Sequence, residues 1–402
     1  MVRNHSHYKH KANFTFHKPS DFSFIQLIND NIDYEGKKHV KVQGEVNVMS
    51  STEVAESDIH SQLEFLVSDA SLIGPQLSIA TEYSLTINPP RFSSAEGNQF
   101  PGATSDQPFM FIFATIWVSP GITLDTFRVS TESLPIAFHA NLNYTVSSRT
   151  HISSKSGHIT GPLGALYEYK KPLCARSRET IIDTGSGSIQ GTYSLYDLLS
   201  ISSSSGSINV NIEPKDASSS SSKPARLRII TSSGSIQAYV PFLSASLPNR
   251  TYETDISSTS GSIDATLFHG KRTSLHTSSG RISASLSPYG PNTSRSDLDV
   301  HTIAGSIDVA IEPSLSDPSA PLRLFYASYR AGSASLRLRY PAQWEGVIEG
   351  RTGTGSMRIN WSGLQIVRDD KSFVGRSIKG VKGEGEGLSR FQVGSGSVDL
   401  SG

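Results

Sequence analysis

The sequence predicts an all-β protein, a parallel β-solenoid of about ten stacked coils that follows an N-terminal β cap. Three observations lead to this prediction. A Ser-Gly-Ser-Ile motif recurs through the second half of the chain, apolar and polar residues alternate after each motif, and no long amphipathic helical pattern occurs. The composition agrees, because the 402 residues include 33 glycines and only 18% of them are charged.

The N-terminal part of the chain shows little repetition. Residues 1–37 are polar and basic at their start, which predicts a disordered tail. Residues 38–150 contain β-like runs, of which FMFIFATIWV at 109–118 is the most apolar. We therefore expect 38–150 to form a β-rich cap with degenerate first coils.

Residues 151–402 are predicted to form the repeat array. Most motif glycines lie roughly 19 to 30 residues apart, which is about the length of one coil. The gaps of 28 and 41 residues, from Gly206 to Gly234 and from Gly355 to Gly396, contain insertions at 214–224 and 369–387, and both read as surface loops because they are rich in Ser, Gly or Lys. The aligned corner glycines are Gly157, Gly187, Gly206, Gly234, Gly261, Gly280, Gly305, Gly332, Gly355 and Gly396.

Each unit has the pattern of a strand, a corner and a second strand. Apolar residues follow the glycine at positions two, four and six, as in Ile282, Ala284 and Leu286 after Gly280. This period of two predicts a strand with one buried face. Glycine is expected at the corner because it tolerates positive φ, and the Ser or Thr three residues before it is expected to hydrogen-bond the local backbone.

Composition and charge exclude several classes of function. The chain has 36 Lys and Arg residues and 36 Asp and Glu residues, so it lacks the excess of positive charge that is typical of proteins that bind nucleic acid. Cys174 is the single cysteine, which excludes an intrachain disulfide, and no His/Cys cluster has the spacing of zinc ligands. The glycine-rich motifs precede strands, so they do not predict a phosphate-binding loop. We expect no metal and no cofactor.

Signals for localisation conflict. The start of the chain has no apolar signal-peptide core, and the longest apolar run is about half of the roughly 20 residues that a membrane helix needs. Glycosylation sequons nevertheless exceed the chance number and favour the cell surface, with a membrane anchor upstream of this chain. A cytoplasmic location is the alternative. The sequons begin at Asn4, Asn13, Asn143, Asn249, Asn292 and Asn360.

One catalytic arrangement fits the repeat. Asp264 and Asp308 occupy the outward position three residues after their glycines, two units apart, which an idealised stack places about 9.6 Å from each other. This is near the upper end of the carboxylate separation in inverting glycosidases. A solvated polar strand face explains the same residues and is favoured.

His276 and His301 precede successive corners and are interpreted as surface residues. The three tryptophans are interpreted as packing residues.

The repeats resemble a known family. The SGSIxAxL units, with WVSPGITLDTFRVST before them, are similar to the "putative adhesin" repeat family over about residues 115–402. The resemblance implies a right-handed, single-stranded β-helix exposed at a bacterial or fungal surface, and it implies no catalytic residues.

These observations lead to one expected function and two alternatives. We expect a non-enzymatic, adhesin-like surface scaffold that presents a polar β-face to cell-wall polysaccharide, matrix or a surface protein. A polysaccharide-active β-helix enzyme and an intracellular structural repeat protein are the alternatives, and none of the three involves nucleic acid.

Overall fold

The computed structural model of the chain divides into two compact units, residues 1–192 and residues 193–402. It describes residues 8–27, 41–67, 76–81, 83–88, 109–139, 142–162, 176–217, 223–241, 247–290, 294–373 and 375–402. All regular structure in these ranges is β-strand, which confirms the all-β prediction. Among the same residues, no helix is long and apolar enough to span a membrane.

The N-terminal unit consists of two sheets. One has the strand order β1-β4-β7-β3-β9-β11-β13, and the other has the order β12-β10-β8-β2-β6-β5. Pairing is antiparallel for β1 with β4, β4 with β7 and β5 with β6, and parallel elsewhere. The strands are β1 (Tyr8–His17), β2 (Asp21–Gln26), β3 (Lys41–Ser50), β4 (Asp58–Val67), β5 (Gln76–Thr81), β6 (Ser84–Asn88), β7 (Phe109–Val118), β8 (Ile122–Thr131), β9 (Ile136–Phe138), β10 (Tyr144–Ser154), β11 (Ile159–Thr160), β12 (Arg176–Thr184) and β13 (Ile189–Leu195), the last of which spans the boundary between the units.

Two boundaries expected in this unit are wrong. Residues 8–26 of the supposed disordered tail form β1 and β2, because alternate apolar side chains such as Phe22 and Phe24 are buried. The domain boundary expected after residue 150 falls inside β10, whose residues on both sides of that position pair with β8 and β12. The short apolar alternation in FTFH and DFSFIQ was the signal for the two early strands.

The C-terminal unit also has two sheets. The first sheet has the order β15-β17-β19-β21-β23-β25-β31-β27, and the second has the order β14-β16-β18-β20-β22-β24-β30-β26-β29-β28. The strands are β14 (Leu198–Ser203), β15 (Ile208–Pro214), β16 (Ala225–Thr231), β17 (Ile236–Tyr239), β18 (Tyr252–Ser258), β19 (Ile263–His269), β20 (Arg272–Thr277), β21 (Ile282–Pro288), β22 (Ser296–Thr302), β23 (Ile307–Ile311), β24 (Phe325–Ala331), β25 (Leu336–Arg339), β26 (Gly346–Thr354), β27 (Met357–Asn360), β28 (Gln365–Ser372), β29 (Gly375–Lys382), β30 (Gly387–Ser395) and β31 (Val398–Ser401).

Each repeat unit contributes one strand to the second sheet and the next strand to the first. Neighbouring units pair in parallel without a register shift, so equivalent residues stack in columns. Ile236, Ile263, Ile282 and Ile307 form one such column and are at most 1% exposed. A unit with one apolar face is stabilised only by its neighbours, because alternate side chains need a partner layer to exclude water.

At several corners a hydroxyl forms a hydrogen bond to the corner before it. The Thr277 hydroxyl accepts a hydrogen bond from the Gly280 nitrogen at 3.1 Å and donates one to the Gly261 carbonyl at 3.1 Å. This explains why Ser or Thr recurs three residues before the glycine, since two buried backbone groups are satisfied by one side chain. The other corners with the hydrogen bond to glycine nitrogen are Ser154–Gly157, Thr184–Gly187, Ser203–Gly206, Thr231–Gly234, Ser258–Gly261 and Thr302–Gly305.

The glycine is required by close approach rather than by its φ angle. A Cβ at Gly261 would lie 1.8 Å from the Gly234 carbonyl oxygen, and one at Gly305 would lie 1.7 Å from that of Gly280. Of the aligned glycines, only Gly355 and Gly396 have φ in the positive range. The expectation that the corner demands positive φ is therefore wrong for the other units.

The alignment on Gly332 is two residues out of register. Leu336 pairs with Ile307, so Ala334 is level with Gly305 and Gly332 precedes the corner. This unit has Ala331 in place of the hydroxyl residue, and Ala331 is 3% exposed. The missing hydroxyl was a sequence signal that the unit departs from the pattern.

The end of the C-terminal unit departs from chain order. β30 lies between β24 and β26, and β31 lies between β25 and β27. The strands of residues 387–401 therefore pair directly with β24 and β25, and the earlier strands β26 and β27 lie one position further along each sheet. The loop expected at 369–387 is wrong in large part, because 375–382 form β29, which pairs antiparallel with β26 and β28.

The insertion expected at 214–224 is described in part. Pro214 ends β15, and residues 215–217 and 223–224 have no regular structure, while 218–222 lie outside the described residues.

Candidate functional surface

The outward face of the first sheet of the C-terminal unit carries a column of serines. Each serine follows the corner, and from Ser235 onward its carbonyl accepts a hydrogen bond from the neighbouring strand of the sheet, as in Ile236 to Ser262 at 2.8 Å. We call this face the polar face. Its serine column consists of Ser207, Ser235, Ser262, Arg281, Ser306, Ser335, Ser397 and Ser356, with Arg281 as the single exception among them.

A second column runs beside the serines on the same face. It is polar at every rung and becomes charged toward its end, because Arg337 and Arg358 alternate with Asp308 and Asp399. Hydroxyl, amide and charged side chains at regular rung spacing present the same hydrogen-bonding groups repeatedly. The column consists of Asn209, Gln237, Asp264, Ser283, Asp308, Arg337, Asp399 and Arg358.

The two aspartates of the catalytic hypothesis lie two rungs apart, as expected, but their surroundings differ. Asp308 contacts Arg339 at 3.0 Å, Arg281 at 3.3 Å and Arg337 at 3.7 Å, and its side chain is 16% exposed. Asp264 is exposed, and its register partner on the neighbouring strand β21 is Ser283. Three guanidinium groups surround Asp308, so its carboxylate is part of an ion-pair cluster on the sheet surface.

The outward face of the second sheet brings the two histidines together. The rings of His276 and His301 are 5.9 Å apart, and His276 Nε2 lies 3.1 Å from an Asp299 carboxylate oxygen. The hydrogen bond from His276 lowers the pKa of Asp299. Partial burial, with the neighbouring His276, lowers the pKa of His301. Within the described ranges, no group of three His, Cys, Asp or Glu residues could hold a metal ion.

The tryptophans are less scattered than the sequence indicates. Trp344 and Trp361 lie 5.2 Å apart and both pack against Tyr340, at 5.3 and 4.9 Å between ring centroids. Trp344 is fully buried and Trp361 is 7% exposed, so they form part of the core rather than a sugar platform. Trp117, in the N-terminal unit, packs against His60 at 5.5 Å.

Four of the six sequon asparagines can be placed. Asn13, Asn143, Asn249 and Asn360 are all exposed, as attachment of a glycan requires. Asn4, Asn292 and Cys174 lie outside the described residues.

The C-terminal unit has a basic cleft that the sequence pattern does not predict. It lies on the side of the unit where each strand of the first sheet connects to the following strand of the second sheet. It encloses about 630 Å³. The described residues that line it lie in or beside five connections between residues 217 and 325, which no spacing rule relates to each other. The charged and aromatic residues of the basic cleft are Lys223, Arg250, Lys271, Arg295, Arg323, Tyr252, His269, Tyr289 and Phe325.

Comparisons with known proteins give low similarity throughout. No family model and no curated protein matches the chain. Solved structures similar to it include a "putative cell adhesion protein" from Clostridium sporogenes, with 8% identity and a TM-score of 0.19 over 98% of this chain and 99% of that one. A "putative lipid binding protein" from Parabacteroides distasonis and a "putative adhesin" from Parabacteroides merdae each have 11% identity and a TM-score of 0.27, over 99% of this chain and 97% of theirs. With TM-scores below 0.5, these likenesses establish neither a shared fold nor a shared function.

Proposed function

We propose that this protein is a non-enzymatic, adhesin-like surface scaffold whose polar face binds an extended neutral polysaccharide of a cell wall or matrix. The proposal includes a right-handed β-helix for the repeat units, as the resemblance to the "putative adhesin" repeats implies. The observation that carries it is the unbroken register of the serine column and its neighbouring column across the rungs of the first sheet.

The spacing of the rungs supports binding by repetition. Adjacent parallel strands lie about 4.8 Å apart, so hydroxyl and amide groups recur at that interval along the polar face. A single hydroxyl-to-hydroxyl hydrogen bond contributes only about 1 kcal/mol. A polymer that contacts many rungs at once gains affinity through effective concentration, whereas a monosaccharide does not.

An extracellular location is part of the proposal. The exposed positions of Asn13, Asn143, Asn249 and Asn360 support it. Treatment of the native protein with a glycosidase that removes N-linked glycans should increase its electrophoretic mobility. Unchanged mobility of protein from its natural source, together with recovery in the cytosolic fraction, would contradict this part of the proposal.

A face-directed set of variants tests the binding function. Lysines at Ser207, Ser235 and Ser262 would project long side chains from the polar face and block a polymer from lying on it. A matched triple at Ser202, Ser257 and Ser328 adds the same charge to the outward face of the second sheet. Co-sedimentation with insoluble neutral β-glucan, chitin and cellulose should show at least about tenfold weaker binding for the first triple only.

Two outcomes of that experiment would overturn the function. One is equal retention of both triples on every polymer that the wild type binds. The other is failure of the wild-type chain to bind any of the three polymers or any component of a neutral glycan array.

A further inference from the structure

We propose that the basic cleft binds an acidic monosaccharide unit, that is, a sugar ring with hydroxyl groups and one carboxylate. This inference does not depend on the role of the polar face, because the cleft is formed by different residues on the connection side of the unit. Its volume of about 630 Å³ lies within the range of about 300 to 1,000 Å³ that is typical of small-molecule sites.

Three residues that line the cleft each contain a buried polar atom without a hydrogen-bond partner among the described residues. The atoms are His269 Nε2, Ser314 Oγ and Arg250 Nε. His269 is 1% exposed and Ser314 is 2% exposed, and the Arg250 side chain is 7% exposed. A buried polar group without a partner costs about 1–3 kcal/mol, so three in one cleft indicate a ligand that supplies polar groups to them.

The chemistry of these atoms favours hydroxyl groups on the ligand. Arg250 Nε is a donor, and a serine hydroxyl both donates and accepts. His269 Nδ1 is 2.9 Å from the Thr273 hydroxyl, which leaves Nε2 to interact with the ligand. A sugar hydroxyl can donate and accept at the same time, so neighbouring hydroxyls on one ring can satisfy groups of both kinds.

The cations of the basic cleft differ in whether they are already paired. Arg250 contacts Asp197 at 3.1 Å, Arg295 contacts Asp297 at 2.6 Å, and Arg323 contacts Glu345 at 2.9 Å. Lys223 and Lys271 are exposed and form no ion pair with any described residue. The uncompensated charge is therefore modest and belongs to two lysines, which suits a single carboxylate.

A diphosphate or nucleotide fits this charge distribution less well. Phosphate groups favour arginines whose paired nitrogens are free to bind two oxygens. Here the three arginines are already held by carboxylates, and the lysines offer point charges.

An apolar wall completes the arrangement. Tyr252 and Tyr289 lie 5.9 Å apart, and Phe325 packs against His269 at 5.1 Å. All four residues line the cleft; Tyr289 is half-buried, and the other three are at most 2% exposed. An aromatic surface beside polar groups matches a pyranose, because one face of the ring presents C–H groups while its edge carries hydroxyls.

The binding experiment uses the full chain and isothermal titration calorimetry. The probes are galacturonate, glucuronate and N-acetylneuraminate, with galactose as the neutral control and inorganic phosphate as the anion control. Saturable binding of at least one acidic sugar with a Kd of about 1 mM or below, and at least about tenfold weaker binding of galactose and phosphate, is expected. Phosphate binding as tightly as the best acidic sugar, or no saturable binding of any acidic sugar, would overturn the proposal.

The variants separate a ligand site from a structural one. Ser314→Ala should weaken binding about tenfold while leaving the urea unfolding midpoint unchanged or higher, because it removes an unpaired buried hydroxyl. Lys223→Met with Lys271→Met should remove the preference for the acidic sugar over galactose. Lys371→Met, an exposed lysine of β28 outside the cleft, is the matched control and should bind as the wild type does. Equal binding by the double lysine variant and the control would also overturn the proposal.

Discussion

The Thr277 hydroxyl donates a 3.1 Å hydrogen bond to the carbonyl of Gly261, sixteen residues earlier in the chain, and thereby connects two successive corners. The same oxygen accepts a hydrogen bond from the Gly280 nitrogen. The same link to the preceding corner is made by Thr184, Thr231, Ser258 and Thr302. The repeated hydroxyl in the sequence thus reports a contact between units.

Thr277→Val tests this link. Valine keeps the shape of threonine but leaves the Gly280 nitrogen and the Gly261 carbonyl buried without a partner. The free energy of unfolding should fall by roughly 2 kcal/mol, measured by urea denaturation. Thr277→Ser keeps the hydroxyl and should recover most of that loss. Equal loss in both variants would show that the methyl group, rather than the hydrogen bonds, is important.

Gly261→Ala tests the close approach of the corners. Its Cβ would lie 1.8 Å from the Gly234 carbonyl oxygen, and the next nearest atoms, Gly234 C and Ser235 N, are also backbone, which prevents an inexpensive adjustment. The variant should lose roughly 2–4 kcal/mol of stability. Ser262→Ala, at the next and exposed position, should change stability by no more than about 0.5 kcal/mol. A stable Gly261→Ala protein would contradict the proposed requirement for glycine.

Asp308→Asn and Asp264→Asn distinguish a structural carboxylate from a catalytic pair. Asp308 is surrounded by Arg281, Arg337 and Arg339, which are about half exposed, so its loss should cost about 1 kcal/mol at low salt and less at high salt. Asp264→Asn should be within about 0.5 kcal/mol of the wild type. Reducing-sugar release from wall polysaccharides should be the same for all three proteins. Release by the wild type that both variants abolish would restore the glycosidase hypothesis.

The buried His269 predicts a dependence of stability on acid pH. Burial lowers its pKa from the usual 6.5 to about 4, although the nearby Asp297 acts in the opposite direction. The unfolded chain therefore binds a proton at a higher pH than the folded chain, and stability should fall as pH decreases from about 6.5 to about 4. The total loss is about 3 kcal/mol.

His269→Phe is the comparison for that measurement. Phenylalanine can retain the packing against Phe325 and does not titrate. Urea unfolding at pH 7 and pH 4.5 should show a smaller difference for this variant than for the wild type. An identical difference would mean that other groups cause the acid sensitivity.

The sequence predicts the strands of the repeat units well, because burial of alternate side chains follows directly from the period of two. Ile263, Ala265 and Leu267 after Gly261 are all about 1% exposed, as expected. Local pattern does not decide which units become neighbours. The segments around Gly355 and Gly396 both have the form of a repeat, and nothing in either indicates that the later one stacks next to residues 325–339.

The columns of the polar face follow from the same periodicity, but the surroundings of their members do not. Arg281, Arg337 and Arg339 meet Asp308 only because three rungs converge there. The basic cleft could not be predicted at all, since its residues come from connections of unequal length. Its sequence signal is limited to basic residues that directly precede second-sheet strands, such as Lys271 before β20 and Arg295 before β22.

The return of residues 387–401 has a consequence for synthesis. A ribosome delivers β26 and β27 before β30 and β31, yet in the folded sheets the later pair lies inside the earlier one. The strand that pairs with the edge of β24 is therefore synthesised only after more than forty further residues have emerged, counting from Tyr340 to Gly387. Assembly at this end cannot proceed vectorially with translation, and a chain stalled before residue 387 would expose that edge to any other strand nearby.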